Sequence, residues 1–305
     1  MRQANSFARD GLFKEAIESY KLALPVKADA NVANRNMGMV YVKLGDFKSA
    51  AKHIEKVIAR YENDFDSNFY LAEAYRGMDK YAEAIFRYQK SLKIQENEPK
   101  AIKALAWSYF KIRYYGEALS FAKKLKALTP ADEQATIILA RTLLKLKKTD
   151  EALATIRSNR DRADEESAAF LASVEGDVLF DRGDFNEAAR LYRQALGTKP
   201  LLAGALLGLG RCLLEEKNFA QAVIYIERSI RLRPQFTEAH YFLGRAYEAT
   251  DLVKAVKSYR VFAKLAATDP EFVAQVSEVN KRMASKDLKL PGGTGNNAKP
   301  DLLAE

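Results

Sequence analysis

The sequence predicts an all-α solenoid of about eight helix–turn–helix units closed by a C-terminal capping helix, and three observations carry that expectation. Alanines recur at 34-residue steps, at Ala16, Ala50, Ala84, Ala118 and Ala152, then after a step of 36 at Ala188 and after 34 more at Ala222. Three residues before each stands Phe13, Phe47, Tyr81, Tyr115, Thr149, Phe185 or Phe219, aromatic in six of the seven. Twelve residues before each lies a small residue, Ala4, Gly38, Ala72, Ala106, Ala140, Gly176 or Gly210; three places after that comes a bulky one, Phe7, Tyr41, Tyr75, Tyr109, Leu143, Leu179 or Leu213. A fixed period of this length means stacked supersecondary units, and it replaces the two globular domains that 305 residues would otherwise suggest.

Each unit reads as two amphipathic helices. In residues 32–44, Met37, Val40, Tyr41 and Leu44 follow the three-and-four spacing of one helical face, and Gly45-Asp46 supplies a turn before residues 47–58. Small residues fall where two backbones must approach closely, and the bulky ones fill the space beside them. Pro130, Pro200 and Pro234 share a phase near the ends of their units, where a helix should stop, and Pro99 opens one. The units start near residues 1, 31, 65, 99, 133, 169, 203 and 237. In the eighth, Ala255 and Tyr259 arrive one place early, so the unit is one residue short.

Residues 271–285 read as a solitary amphipathic helix with Phe272, Val273, Val276 and Val279 inward, covering the last apolar face, so the solenoid is expected over 1–286. Residues 287–305 lack core-forming periodicity and are expected to be disordered; their PGGTG is not followed by the Gly-Lys-Ser/Thr of a phosphate loop. The two extra residues between Ala152 and Ala188 fall within SNRDRADEES, 158–167. They read as a longer solvated loop, with a hinge between the fifth and sixth units as the alternative; limited proteolysis there separates the two. Counting back from Ala16 puts the first unit's start about three residues before Met1. The sequence is therefore expected to be a segment of something longer.

Residues 38–50, GMVYVKLGDFKSA, and 178–188, VLFDRGDFNEA, resemble the tetratricopeptide repeat family, whose unit carries a small residue at position 8, a bulky one at 11, Gly-x-Tyr/Phe at the turn, alanine at 20 and proline near 32. The resemblance covers seven units in phase. It departs at position 4, where the family's tryptophan is replaced by Asn34, Asn68, Ile102, Thr136, Ala172, Leu206 and His240, and at Thr149 in the fifth turn. It implies a right-handed superhelical solenoid whose first helices line a concave groove.

Composition excludes most other classes. A hydrophobic content of 48% supports a core, and the longest uncharged apolar run, Leu201 to Gly210, is about half the roughly twenty residues a bilayer requires. One cysteine, Cys212, excludes an internal disulfide framework and a cysteine-based zinc cluster. His53 reads as an ordinary surface residue, His240 as a packing residue in the tryptophan slot and Cys212 as a buried structural thiol. No catalytic constellation, metal set or cofactor motif emerges, and the chain is read as a non-enzyme that needs no cofactor. The sequence as written is expected to be cytoplasmic, with a removed signal, lipid anchor or upstream domain left open.

The family's groove positions, carried onto this chain, give Arg35, Met39 and Lys43; Phe69, Glu73 and Arg76; Lys100, Lys103, Trp107, Phe110 and Lys111; and Ile137, Arg141 and Lys145. This half is basic and aromatic, whereas the later units supply Phe170, Asp177, Phe180, Asp181, Leu207, Arg211, Glu215, Tyr241, Arg245 and Glu248, balanced in charge. Trp107, the one tryptophan, is read as an anchor between Lys103 and Lys111, with packing between adjacent first helices as the alternative. The pairs Arg35/Met39, Phe69/Glu73, Lys103/Trp107 and Ile137/Arg141 do not reproduce the carboxylate clamp of chaperone-binding relatives.

The expected function is a protein-interaction scaffold whose groove takes an extended or helical partner segment with acidic and apolar side chains. RNA binding is the alternative, favoured by the net charge of +9. Against it, basic runs such as KKLK (123–126) alternate with acidic ones such as DEES (164–167). The unit length is 34 where related RNA readers use 35, and Arg35, Phe69, Lys103 and Ile137 occupy the base-reading position. A regulatory fragment of a larger multidomain protein is the third reading.

Overall fold

The computed structural model describes residues 1–26, 30–160 and 163–284, and among these the chain forms seventeen α-helices and no strand. They fall into two compact units, divided between Thr155 and Ile156. The first contains α1 (Arg2–Arg9), α2 (Phe13–Ala23), α3 (Ala30–Leu44), α4 (Phe47–Ile58), α5 (Phe65–Gly77), α6 (Tyr81–Ile94), α7 (Pro99–Lys111), α8 (Tyr115–Leu128) and α9 (Glu133–Lys145). The division falls inside α10 (Thr149–Arg160). The second contains α11 (Glu165–Arg182), α12 (Phe185–Thr198), α13 (Ala203–Glu215), α14 (Phe219–Leu232), α15 (Thr237–Glu248), α16 (Leu252–Ala266), a 3-10 turn at Pro270–Phe272 and α17 (Val273–Ala284). The tail expected at 287–305 lies outside the described residues.

The turn inside each unit is the same device repeated seven times. A residue with positive φ ends the first helix: Gly11, Gly45, Asp79, Arg113, Lys147, Gly183 and Lys217. The amide of the next residue then reaches back to the carbonyl of the bulky series, as in Asp46 to Tyr41 at 3.0 Å, Lys80 to Tyr75 at 2.9 Å and Asn218 to Leu213 at 2.8 Å. This six-to-one bond satisfies a carbonyl that the helix end would leave open. The bulky residue is thus both core filler and turn acceptor. In the eighth unit the bond is one residue shorter, Asp251 to Tyr247 at 2.7 Å, which is why the second helix arrives one place early. Second helices gain a further start signal where a polar residue precedes them: the side chains of Asp46, Asn218 and Asp251 accept from the amides of Ser49, Gln221 and Lys254.

Between the paired helices the small series is sealed from water. Ala4, Ala72, Ala106 and Ala140 are fully buried, as are Ala16, Ala50, Ala84, Ala118, Ala152, Ala188 and Ala222 on the second helices. Gly38 lets Ile54 lie against its backbone, since a Cβ there would stand 2.2 Å from Ile54 Cγ1. Apolar side chains then bridge successive hairpins: in the first compact unit Leu71 and Ala74 pack with Ile54 and Ile58, while Ile102 and Leu105 pack with Tyr88 and Leu92. No hairpin buries its apolar surface alone, which is the physical basis of stacking.

Two expectations are corrected. The extra residues near position 160 do not simply lengthen a loop: α11 starts at Glu165, four residues before the expected unit start, and runs for 18 residues where α9 and α13 have 13. Asp164 caps it through the Ser167 amide at 2.8 Å, and Glu165 and Glu166 favour its N-terminal dipole, so the insertion becomes an extra helical turn. On α17, Val279 is fully buried but Val273 is 66% exposed. That helix is instead pinned by polar bonds: Arg282 grips Glu248 at 2.8 and 3.0 Å, and Tyr241 donates to Glu278 at 2.9 Å.

Candidate protein-binding groove

Helices α5, α7 and α9 are first helices of consecutive units, and each presents one face through the three-and-four spacing: Phe69, Glu73 and Arg76; Lys100, Lys103, Ala104 and Trp107; Gln134, Ile137, Ile138 and Arg141. These side chains enclose a cavity of about 410 Å³. Seven of the ten groove residues expected from sequence meet there: Phe69, Glu73, Arg76, Lys103, Trp107, Ile137 and Arg141. Three do not. Arg35 lines a separate hollow of about 340 Å³ with Tyr61 and Asp64 and pairs with Asp64 at 3.2 Å. Met39 is half-buried on α3, and Lys111 is exposed, its ammonium 5.7 Å from the Trp107 ring centroid.

The cavity wall divides by chemistry. Ile137 and Ile138 are buried and form an apolar floor with the half-buried Phe69 and Trp107. Trp107 is half-buried, stacks on Phe110 with centroids 5.4 Å apart, and lines the cavity. Around the floor stand four cations, Arg76, Lys100, Lys103 and Arg141, against one lining carboxylate, Glu73. Lys103 lies 3.8 Å from Asp132, which itself caps α9 by accepting from the amides of Gln134 and Ala135.

Glu73 and Arg76 are held as a unit. The guanidinium makes a two-pronged contact with the carboxylate, 2.6 and 3.2 Å, and the Tyr88 hydroxyl donates to Glu73 from the second helix behind. Burial, followed by the adjacent Glu73 charge, raises the Tyr88 hydroxyl well above its ordinary pKa, so it remains a donor throughout the physiological range. The hydrogen bond to Glu73 leads the causes that raise Arg76. Sequence reasoning missed Tyr88 because it tracks concave positions on first helices only. A signal exists nonetheless: Tyr20, Tyr88, Tyr192 and Tyr259 all fall four residues after the alanine series. Each passes its hydroxyl to a polar side chain on a first helix, Asn5, Glu73, Asp177 and Glu248 respectively.

In the second compact unit the equivalent face is filled by its own side chains. The Arg211 guanidinium lies 4.0 Å from the Phe180 ring centroid and 5.0 Å from that of Phe242, with Glu238 at 3.4 Å and Asp181 at 4.0 Å. Phe170 is covered by the Lys199 ammonium at 4.6 Å. A hollow of about 640 Å³ on this unit is lined instead by Asp184, Glu187, Glu215 and Glu216 together with Arg157. Cations of the chain thus lie over Phe170, Phe180 and Phe242.

The remaining reactive groups have structural tasks. His53 is half-buried, not an ordinary surface residue: its ring stacks on Tyr41 with centroids 5.5 Å apart and its Nδ1 is 2.9 Å from Asn34 Oδ1. Burial, then Lys56 and Lys52, lowers its pKa and keeps the ring neutral at pH 7. His240 is buried, with one ring nitrogen 2.9 Å from the Pro234 carbonyl. Cys212 is fully buried, and desolvation pushes its thiol up to about 12 despite the opposing Arg211 charge. At pH 8 native Cys212 should resist a thiol-specific disulfide reagent for hours while the urea-unfolded chain reacts within minutes; rapid labelling of the native chain would contradict this burial. No group of three or more potential metal ligands and no helix long and apolar enough to cross a membrane is present among the described residues.

Family models described as tetratricopeptide repeat match residues 29–97 and 174–235, and one described as anaphase-promoting complex, cyclosome, subunit 3 matches residues 77–159. The BBSome complex member BBS4 homolog of Drosophila melanogaster is 27% identical over 151 residues, 48% of this chain and 30% of that protein. The chain spans less than a third of the length of the curated relatives it matches. Among solved structures, the crystal structure of the APC/C hetero-tetramer Cut9–Hcn1 is similar with a TM-score of 0.67 at 14% identity, covering 93% of this chain and 55% of that one. A human IFIT1 dimer with m7Gppp-AAAA is similar with a TM-score of 0.61 at 18% identity, covering 92% and 71%. These likenesses establish the fold, and the 34-residue phases, the repeated left-handed turns and the matching family models agree. The chain belongs to the tetratricopeptide repeat family.

Proposed function

We propose that the chain is a non-enzymatic scaffold that captures a segment of a partner protein in the cavity of its first compact unit. The segment is extended or helical and carries acidic and apolar side chains. One observation supports this above others: eleven residues from three consecutive first helices converge on a hollow with an aromatic and aliphatic floor and a rim of four cations against one carboxylate. Such a wall buries an apolar side chain while the cations pair with carboxylates beside it. One curated relative is named as a member of a multi-subunit assembly, the BBSome, in keeping with a scaffold.

The test is a peptide array probed with the full chain and with Trp107→Ala/Lys103→Glu. Peptides combining acidic and large apolar residues should bind the wild type, and the double variant should bind them at least thirtyfold more weakly, about 2 kcal/mol. Equal binding by both proteins would remove the cavity from the account. The IFIT1 likeness, at 18% identity, bears on the fold alone, so RNA is tested in parallel by filter binding of single-stranded RNA. Tight RNA binding that the double variant loses, with no peptide bound, would replace the protein-binding reading.

A further inference from the structure

The ion pair that Tyr88 holds in the cavity wall narrows what an occupant can be. Tyr88 is fully buried on α6; its hydroxyl and Arg76 Nε both donate to Glu73 Oε1, while Arg76 Nη2 donates to Glu73 Oε2 at 2.6 Å. Glu73 is 16% exposed and Arg76 36%, so both side chains are fixed in direction and their opposite charges offset each other. Glu73 takes two of the guanidinium N–H groups, and among the described residues Nη1 makes no hydrogen bond. A donor held still beside its own counter-charge suits a neutral acceptor better than a second carboxylate. Charge for the partner's acids lies elsewhere: Lys100 is exposed in the first turn of α7, and Lys103 follows one turn on.

We infer that Arg76 donates to a main-chain carbonyl of the partner segment, that Tyr88 is the positioning residue for that bond, and that the segment is extended where it meets α5. The inference rests on the protein-binding reading of the cavity and decides between the two conformations that reading allows. Inside an α-helix each carbonyl already accepts from the amide four residues on, so a helical segment offers Nη1 an acceptor only at its last turn. An extended segment keeps its carbonyls open. Its acidic side chains go to Lys100 and Lys103, and its apolar ones to the floor of Phe69, Trp107 and Ile137.

The test is an amide-to-ester scan of the tightest array peptide against the full chain, since an ester carbonyl is a weaker acceptor than an amide one. One ester should lower affinity about tenfold in the wild type and less than about twofold in Arg76→Met/Glu73→Gln, where the donor is gone and no lone carboxylate remains. Circular dichroism confirms equal helix content. Tyr88→Phe, which keeps the ring and drops the hydroxyl, should shrink the penalty of that ester to about threefold. A merely structural Tyr88 would weaken amide and ester peptides alike and leave their ratio unchanged, which would remove it from the bond. A form of the peptide locked helical by a side-chain lactam should bind at least about tenfold more weakly than the linear one. Ester penalties that are the same with and without Arg76, or a helical form that binds as tightly as the linear one, would overturn the inference. If the linear peptide in that case still loses binding with Trp107→Ala/Lys103→Glu, the groove reading survives alone; if no array peptide binds, both fall.

Discussion

Replacing Gly208 with alanine should destabilise the second compact unit by about 2–3 kcal/mol, although the same change in an ordinary helix interior stabilises by up to about 1 kcal/mol. The reason is the fully buried ring of Tyr192. A Cβ at position 208 would stand 2.2 Å from its Cζ and 2.4 Å from its Cε1. The ring cannot move aside, because a Cβ at Gly176 would lie only 2.8 Å from Cε1 and the hydroxyl is tied to Asp177 at 2.8 Å. Two glycines on successive first helices therefore hold one tyrosine from the second helix between them. Urea unfolding read through Cys212 labelling measures the effect in this unit. The sign should reverse in a Tyr192→Leu background, where the clashing atoms are gone: there Gly208→Ala should be neutral or mildly stabilising. A loss of equal size in both backgrounds would show that the cost is not steric overlap with Tyr192.

The second large effect concerns Glu175, whose side chain is 4% exposed and accepts from Arg157 Nε at 3.0 Å and Arg160 Nη1 at 2.8 Å. The arginines are 62% and 34% exposed, so their charges are well hydrated and the pair's attraction is partly screened. The asymmetry decides the outcome. Removing the carboxylate frees two solvated cations at modest cost, whereas removing both arginines leaves a buried anion without a partner. Arg157→Ala/Arg160→Ala should therefore cost about 3 kcal/mol. Adding Glu175→Gln should return more than half of that loss. If the triple variant is no more stable than the double, the unpaired charge is not the source of the cost.

Much of the fold was legible because sterics write it into residue size. A glycine or alanine at a close helix approach leaves a periodic mark, so Gly38 and Gly176 were legible by phase, whereas the side chains that lie against them, Ile54 and Tyr192 on the second helices, were not. The turn was legible where glycine marks it, at Gly45 and Gly183, but not at Asp79, Arg113, Lys147 and Lys217. There the six-to-one bond holds ordinary residues in the left-handed region and nothing in their identity announces it. The lengthening of α11 was hidden because phase counting assigns extra residues to a loop, whereas Asp164 and the following acidic pair start the helix early. Seven cavity residues could be named from the groove positions that the family resemblance implies. Tyr88 and Ile138 could not: one acts from the second helix, and the other takes part through the neighbouring helical row.

The central claim is that the first compact unit displays a protein-binding cavity between α5, α7 and α9. It is tested most directly by giving the tightest array peptide a photoreactive group beside its apolar residue and mapping the crosslinks on the full chain by mass spectrometry. The account predicts adducts on Phe69, Lys103, Trp107, Ile137 or Arg141, lost when unmodified peptide competes. Adducts confined to α6 and α8, or to the turns of the second compact unit, would contradict it.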